Sequence, residues 1–168
     1  NSLEKELDFK KTEIEKVLPA LTQLFDGAGE RPKVRFYEGE EGLGALRDDF
    51  LKTKDKQIEG FVNLDKLFEF NPEHEKDFTR KRIDKRVRSR IIYTAKNGPI
   101  TGATDLKKFR ETKYVPPEKF PISADLSIYG NRIALVAYKA NPIAVIIESK
   151  EISDTLRFIF YLIWNSLL

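Results

Sequence analysis

Apolar residues near the start of the chain recur at Leu3, Leu7, Ile14, Val17, Leu21 and Leu24, with Lys10 in the one missing place. The spacings alternate between four and three, the seam of a coiled coil rather than a broad core-facing stripe. Charged residues from Glu4 to Lys16 crowd between them. Pro19 lacks an N–H and clashes with the preceding turn, so a helix is expected to end or kink near Val17, followed by a short helix over 19–25. Three heptads are few. A helix that pairs two copies of the chain and an amphipathic helix packed on its own domain both fit the pattern.

After the glycine loop at 26–29 the pattern changes period repeatedly. Strands are expected at 33–38, with Val34 and Phe36 on one face, at 58–62 and at 87–93. Helical spacing covers 40–54, 64–70 and 72–85, the last opened by Pro72. A turn at Asn97-Gly98-Pro99 precedes a short helix expected over 104–111. The last third reads as strands at 113–115, 125–129, 132–138 and 144–148, with a turn at Gly130-Asn131. A final helix over 153–168 is apolar on most faces and is expected to be buried. Strands separated by helices, then a hairpin and another strand, predict an α/β fold: a mixed sheet covered by helices on both faces, preceded by the coiled-coil-type helix. The expected division is 1–25 as a linker and dimerisation helix and 30–168 as the α/β domain.

Composition narrows the function classes. The chain has 168 residues, 40% of them hydrophobic, with 12 Phe and 6 Tyr, enough to fill a core and to exclude disorder as the main state. With no cysteine, disulfide scaffolds, cysteine zinc sites and thiol catalysis are excluded, and with one histidine any His-dependent chemistry rests on His74. The most apolar stretch, 156–168, is shorter than the roughly 20 residues of a membrane-spanning helix. No signal peptide opens the chain, so a cytoplasmic protein is expected. The opening Asn1-Ser2-Leu3, without methionine, reads as a piece of a longer protein.

Few constellations carry chemistry. The segment from His74 to Arg90 holds eight basic and three acidic residues, a net +5 that leaves −2 for the rest of the chain's +3. It reads first as a solvated helix face and second as a contact for phosphates or another anionic ligand, with no base-stacking platform beside it. The glycine-rich stretch from Glu38 to Gly44 carries three carboxylates, which repel phosphate. It reads as an acidic helix start or as acceptors for sugar hydroxyls, amines or a cation. Asn63-Leu64-Asp65 is either a helix N-cap or the polar exit of a strand.

Two stretches resemble a known family when taken together. Lys33-Val34-Arg35-Phe36-Tyr37-Glu38-Gly39-Glu40-Glu41-Gly42 follows a helix ending Leu18-Pro19-Ala20-Leu21. Later, Phe120-Pro121-Ile122 leads to Ile128-Tyr129-Gly130-Asn131-Arg132-Ile133-Ala134, then 143–149 and a helix ending Ile163-Trp164. This order is similar to the C-terminal domain of TrmB-like transcriptional regulators, and the resemblance covers nearly the whole chain. It implies a phospholipase D-like, non-catalytic domain preceded by a coiled-coil linker and, upstream, a winged-helix DNA-binding domain. In active phospholipase D-like enzymes the strand after Phe-Pro carries a His-x-Lys pair, where this chain has Ser123-Ala124-Asp125-Leu126-Ser127. His74-Glu75-Lys76 spells His-x-Lys, but the required Asp is Lys81, and the segment is a helix.

The resulting expectation is the effector-sensing and dimerisation region of such a regulator, not an enzyme, with no catalytic residue, metal or cofactor assigned. A divergent phospholipase D-like phosphodiesterase and a ligand-free dimerisation module are the alternatives. Expected partners are a second copy of the chain, a small effector such as a sugar, and DNA only through the missing domain; no membrane is expected. Candidate ligand residues at strand ends are Tyr37, Glu38, Asn63, Asp65, Asp125 and Tyr129. Candidate dimerisation residues are Leu3, Leu7, Ile14, Val17, Leu21 and Leu24.

Overall fold

The computed structural model describes residues 10–19, 31–100 and 102–167. The chain divides into two units, residues 1–31 and Pro32–Leu168. In the first, residues 10–19 form helix α1, exposed along its length, with Ile14 and Val17 both open to solvent. This helix continues past Val17 as far as Pro19. Leu3, Leu7, Leu21 and Leu24, and most of the short helix expected after Pro19, lie outside the described residues.

The second unit runs β1 (Lys33–Glu38), α2 (Gly39–Phe50), β2 (Gln57–Asn63), α3 (Leu64–Phe70), α4 (Pro72–Asp84), β3 (Arg88–Thr94), a 3₁₀ turn (Leu106–Lys108), β4 (Arg110–Tyr114), β5 (Asp125–Tyr129), β6 (Arg132–Ala137), β7 (Ile143–Glu148) and α5 (Lys150–Ser166). The strands form one seven-stranded sheet in the order β1-β7-β6-β5-β2-β3-β4. The β2-β3-β4 half is parallel and the remaining neighbours are antiparallel. Gly130 supplies the left-handed residue (φ 53°) that lets β5 turn into β6.

Each helix start has a local cause. Asn63, Asn71 and Ser149 accept the backbone N–H groups of Lys66, His74 and Ile152, capping α3, α4 and α5. Pro72 takes the first position of α4, where its missing N–H costs nothing.

Alternation along the strands builds two cores. On one face, Leu43, Leu46 and Phe50 of α2 pack on Ile58, Tyr129, Val136 and Ile146. On the other, Phe160 of α5 packs on Phe61, Ile92, Ile128 and Ile133, with Trp164 beside them. The expected mixed sheet with helices on both faces is thus present.

Two local expectations differ from the structure. The segment expected as a helix over 104–111 is a single 3₁₀ turn running into β4, an edge strand that starts earlier than expected. Its Arg-Glu-Thr-Lys-Tyr sequence lacks the apolar alternation of a buried strand, because charged side chains suit a sheet edge. The final helix is also less buried than expected: Ser153 and Phe160 are its buried residues, while Phe158 is 75% and Leu162 73% exposed.

Candidate functional site: an apolar cavity entered by Asp125

Alternation places Ile58, Gly60 and Val62 of β2 on the face beneath α2 and α4, beside Ser89 and Ile91 of β3 and Ser127 of β5. Three of these floor residues are small, so the helices above meet no side chains there to fill the gap. Gly60 has a further reason to be glycine, since a Cβ would stand 2.7 Å from the Leu126 carbonyl oxygen. The space left is a cavity of about 260 Å³. That is close to the lower end, about 300 Å³, of typical small-molecule sites. Its walls are largely apolar, from Leu46 and Phe50 of α2, Phe68 of α3 and Phe78 of α4.

Into this apolar box converge a few polar groups. Asp125, at the start of β5, is 6% exposed. Its Oδ1 accepts the Asn63 N–H at 2.9 Å, and the Tyr138 hydroxyl lies beside it. Burial pushes the Asp125 carboxyl up to about 7, against the lowering effect of the Asn63 N–H and Tyr138, and Glu75 in the same cavity raises it further. Burial likewise raises Glu75, opposed by Arg47, Arg82 and Arg110. The Arg47 guanidinium reaches Glu75 at 3.3 Å and lies 5.9 Å from the Phe78 ring centre. Burial lowers Tyr138 acidity, so its hydroxyl stays protonated as a donor.

The other two arginines are anchored by backbone. Arg82, 3% exposed, donates to the carbonyls of Val87, Lys108 and Phe109. Arg110 donates to Gly102 and Ala103. They fix the loops that close the cavity and leave Asp125 without an ion pair among the described residues. The arrangement can hold a small ligand with an apolar side and hydroxyl or amine groups, satisfied by Asp125, Tyr138, Ser89, Ser127 and the Arg47–Glu75 pair.

Of the six residues singled out in the sequence, Asp125 lines the cavity. Asn63 adjoins it, donating its side-chain amide to the Ile122 carbonyl while capping α3. Asp65 accepts the Lys96 N–H from the first turn of α3. Tyr37 packs against the α2-side core, and Glu38 is exposed at the N-cap of α2, both on β1 and separated from β5 by two strands. Tyr129 stands at the opposite end of β5 from Asp125, with its hydroxyl donating to Asp49 at 2.9 Å. The sequence reading passed over Arg47, Glu75, Arg82, Ser89, Ser127 and Tyr138. A signal existed for two of them: Glu75, Phe78, Thr79 and Arg82 follow helical spacing, which puts two charges on the same face as an inward Phe.

No protein-family model and no curated protein matches the chain. Solved structures do. TrmBL2, described as an archaeal chromatin protein with a novel mode of DNA binding, matches over 99% of this chain at a TM-score of 0.53 and 16% identity. The chain spans 64% of TrmBL2's length. Nuc from Salmonella typhimurium, a phospholipase D family member, matches over 82% of this chain and 97% of its own length at 0.52 and 15% identity. NucT from Helicobacter pylori matches over 82% of this chain and 99% of its own at 0.60 and 8% identity.

These likenesses overturn the expectation that the chain is not an enzyme, since its fold is shared with a phospholipase D family member and with NucT. A missing His-x-Lys pair excludes one nucleophile only, and the cavity brings together Asp125 and Glu75, a pairing invisible in a linear pattern. Among the described residues, no helix is long and apolar enough to cross a membrane. Together, the seven-stranded sheet and the solved structures it matches show an α/β domain whose fold is shared with TrmBL2 and with Nuc, a phospholipase D family member.

Proposed function

We propose that this chain is the effector-sensing region of a TrmB-like DNA-binding regulator working in the cytoplasm, with its ligand seated in the cavity beside Asp125. The observation that carries this reading is the apolar cavity of about 260 Å³ entered by a carboxyl without an ion pair among the described residues. TrmBL2, matched along nearly the whole chain, is a DNA-binding protein, which supports a DNA-linked role. The ligand class that suits the lining is a small polar molecule with one apolar side, a sugar or related polyol. Occupancy would couple α2, α3 and α4 through one ligand. Residues 1–25, with Leu3, Leu7, Ile14, Val17, Leu21 and Leu24, would pair two copies and pass the change on to DNA-binding domains upstream.

A thermal-shift screen of the chain against sugars, sugar phosphates, nucleotides and divalent ions tests the proposal. A ligand that binds only the folded state raises the melting temperature by mass action, by about 2.7 kcal/mol of stability at a hundredfold excess over Kd. The expected outcome is a saturable rise with one class, lost on Asp125→Ala. Flat curves throughout would leave a ligand-free dimerisation module as the better reading.

A second reading, a divergent phosphodiesterase, is favoured by the fold shared with Nuc. Asp125, raised to about 7, is suited to give and take a proton at neutral pH. It predicts turnover of a generic phosphodiester that survives repeated purification and is abolished in Asp125→Asn.

A further inference from the structure

Among the described residues, three non-glycine positions have left-handed backbone: Lys56 (φ 54°), Arg86 (φ 55°) and Phe109 (φ 53°). All three stand at one end of the sheet, at the entrances to the adjacent parallel strands β2, β3 and β4. The entrances are tied together: Arg88 N–H donates to the Lys56 carbonyl at 2.8 Å, Ser89 N–H donates to the Phe109 carbonyl at 2.9 Å, and the Arg82 guanidinium bridges the second and third loops. Left-handed backbone is strained for a side-chain-bearing residue and free for glycine. At two of these positions the chain carries a cation where glycine would be the more stable choice.

The same loops present Lys54 and Lys56, then Lys85, Arg86 and Arg88, then Lys107, all exposed. None of the six forms an ion pair among the described residues, whereas Lys76, Arg80 and Lys81 on α4 are each matched to an acid. Adjacent strands lie about 4.8 Å apart, so the three entrances form a row about 10 Å long before the side chains reach out. No aromatic ring stands exposed among these cations to stack an unpaired base, and Leu106 is the one exposed apolar residue beside them, too little to anchor in a lipid surface.

We infer that this sheet end, formed by the entrances to β2, β3 and β4, is a docking surface for the phosphate backbone of duplex DNA. It lies at the opposite end of the sheet from Asp125 and stands independently of what fills the cavity. The chain would then touch DNA itself, rather than only through an upstream domain. Lys56 and Arg86 thus carry exposed cations on backbone that glycine would adopt without strain.

The test is fluorescence anisotropy of the 168-residue chain with a labelled duplex of arbitrary sequence, across a salt series. Lys56→Gly with Arg86→Gly is compared with a charge-matched control, Lys119→Ala with Lys139→Ala, at the other end of the sheet. The wild type and control should bind with the same salt dependence. The glycine variant should bind about tenfold more weakly at low salt, with its log–log salt slope reduced by about two, while its melting temperature holds or rises. A chain that does not bind duplex at about 50 mM salt, equal losses in both double variants, or binding to anionic vesicles but not to DNA would overturn the inference.

Discussion

Asp125 and Arg82 use the same low-dielectric interior in opposite ways. Arg82 keeps its charge because three carbonyls surround it, although burial lowers its pKa to about 10. Asp125 has one backbone N–H and a tyrosine hydroxyl, and its carboxyl moves up to about 7. In the unfolded chain it titrates near 3.8. The folded state therefore holds the proton more tightly, and the stability this confers is present below about pH 4 and lost as pH rises through 7. Asp125→Asn keeps an acceptor for Asn63 and cannot ionise. Melting temperatures from pH 4 to 8 should fall in the wild type by an increment that the variant lacks; parallel curves would show that Asp125 is ionised throughout. Asp125 was legible in the sequence as an acid at the start of a strand. Arg82 and Glu75 were not, because a helix with eleven charges in its neighbourhood reads as solvated unless each is placed on its face.

At the scale of elements, α5 is held by polar contacts as well as by Phe160. Glu59 of β2, 2% exposed, accepts from Tyr161 Oη at 3.0 Å and lies 3.5 Å from the Arg157 guanidinium. Arg90 donates to the same tyrosine oxygen at 3.1 Å and pairs with Glu111 of β4. The helix is thereby tied to three neighbouring strands' worth of charge on a face that is otherwise apolar. Tyr161→Phe removes one donor to a buried carboxylate and should destabilise the domain by about 1–3 kcal/mol. Chemical denaturation reads this directly, and an unchanged midpoint would show that Arg157 and the side-chain amide of Gln57, which also donates to Glu59, suffice for that carboxylate. These contacts also explain why the sequence overstated α5's burial. Its apolar count is high, but the polar anchors fix which side faces the sheet and leave Phe158 and Leu162 outside. Pro72 marked the start of α4 locally, whereas α5 begins at Lys150, three residues before the expected 153, because Ser149 caps it, and β4 draws its strand character from its neighbour rather than from its own residues.

For the whole molecule, one sheet serves two ends. Asp125 stands in the cavity at one end; at the other, Arg82 and Arg110 hold the loops that close it, and the outward side of those entrances gathers six cations without an ion pair among the described residues. Period changes along the chain were enough to anticipate the mixed sheet and the helices on its two faces. They could not show which strands become neighbours, and so could not assemble a cavity from residues 47, 75, 125 and 138. This cavity is proposed as a ligand site. Its most direct test is a thermal-shift comparison of the wild type with Ser127→Leu, whose longer side chain would occupy the floor, across the same sugars, sugar phosphates, nucleotides and ions. A saturable rise is expected in the wild type with at least one class and none in the filled variant. Flat curves in both proteins, or an equal rise in both, would contradict it.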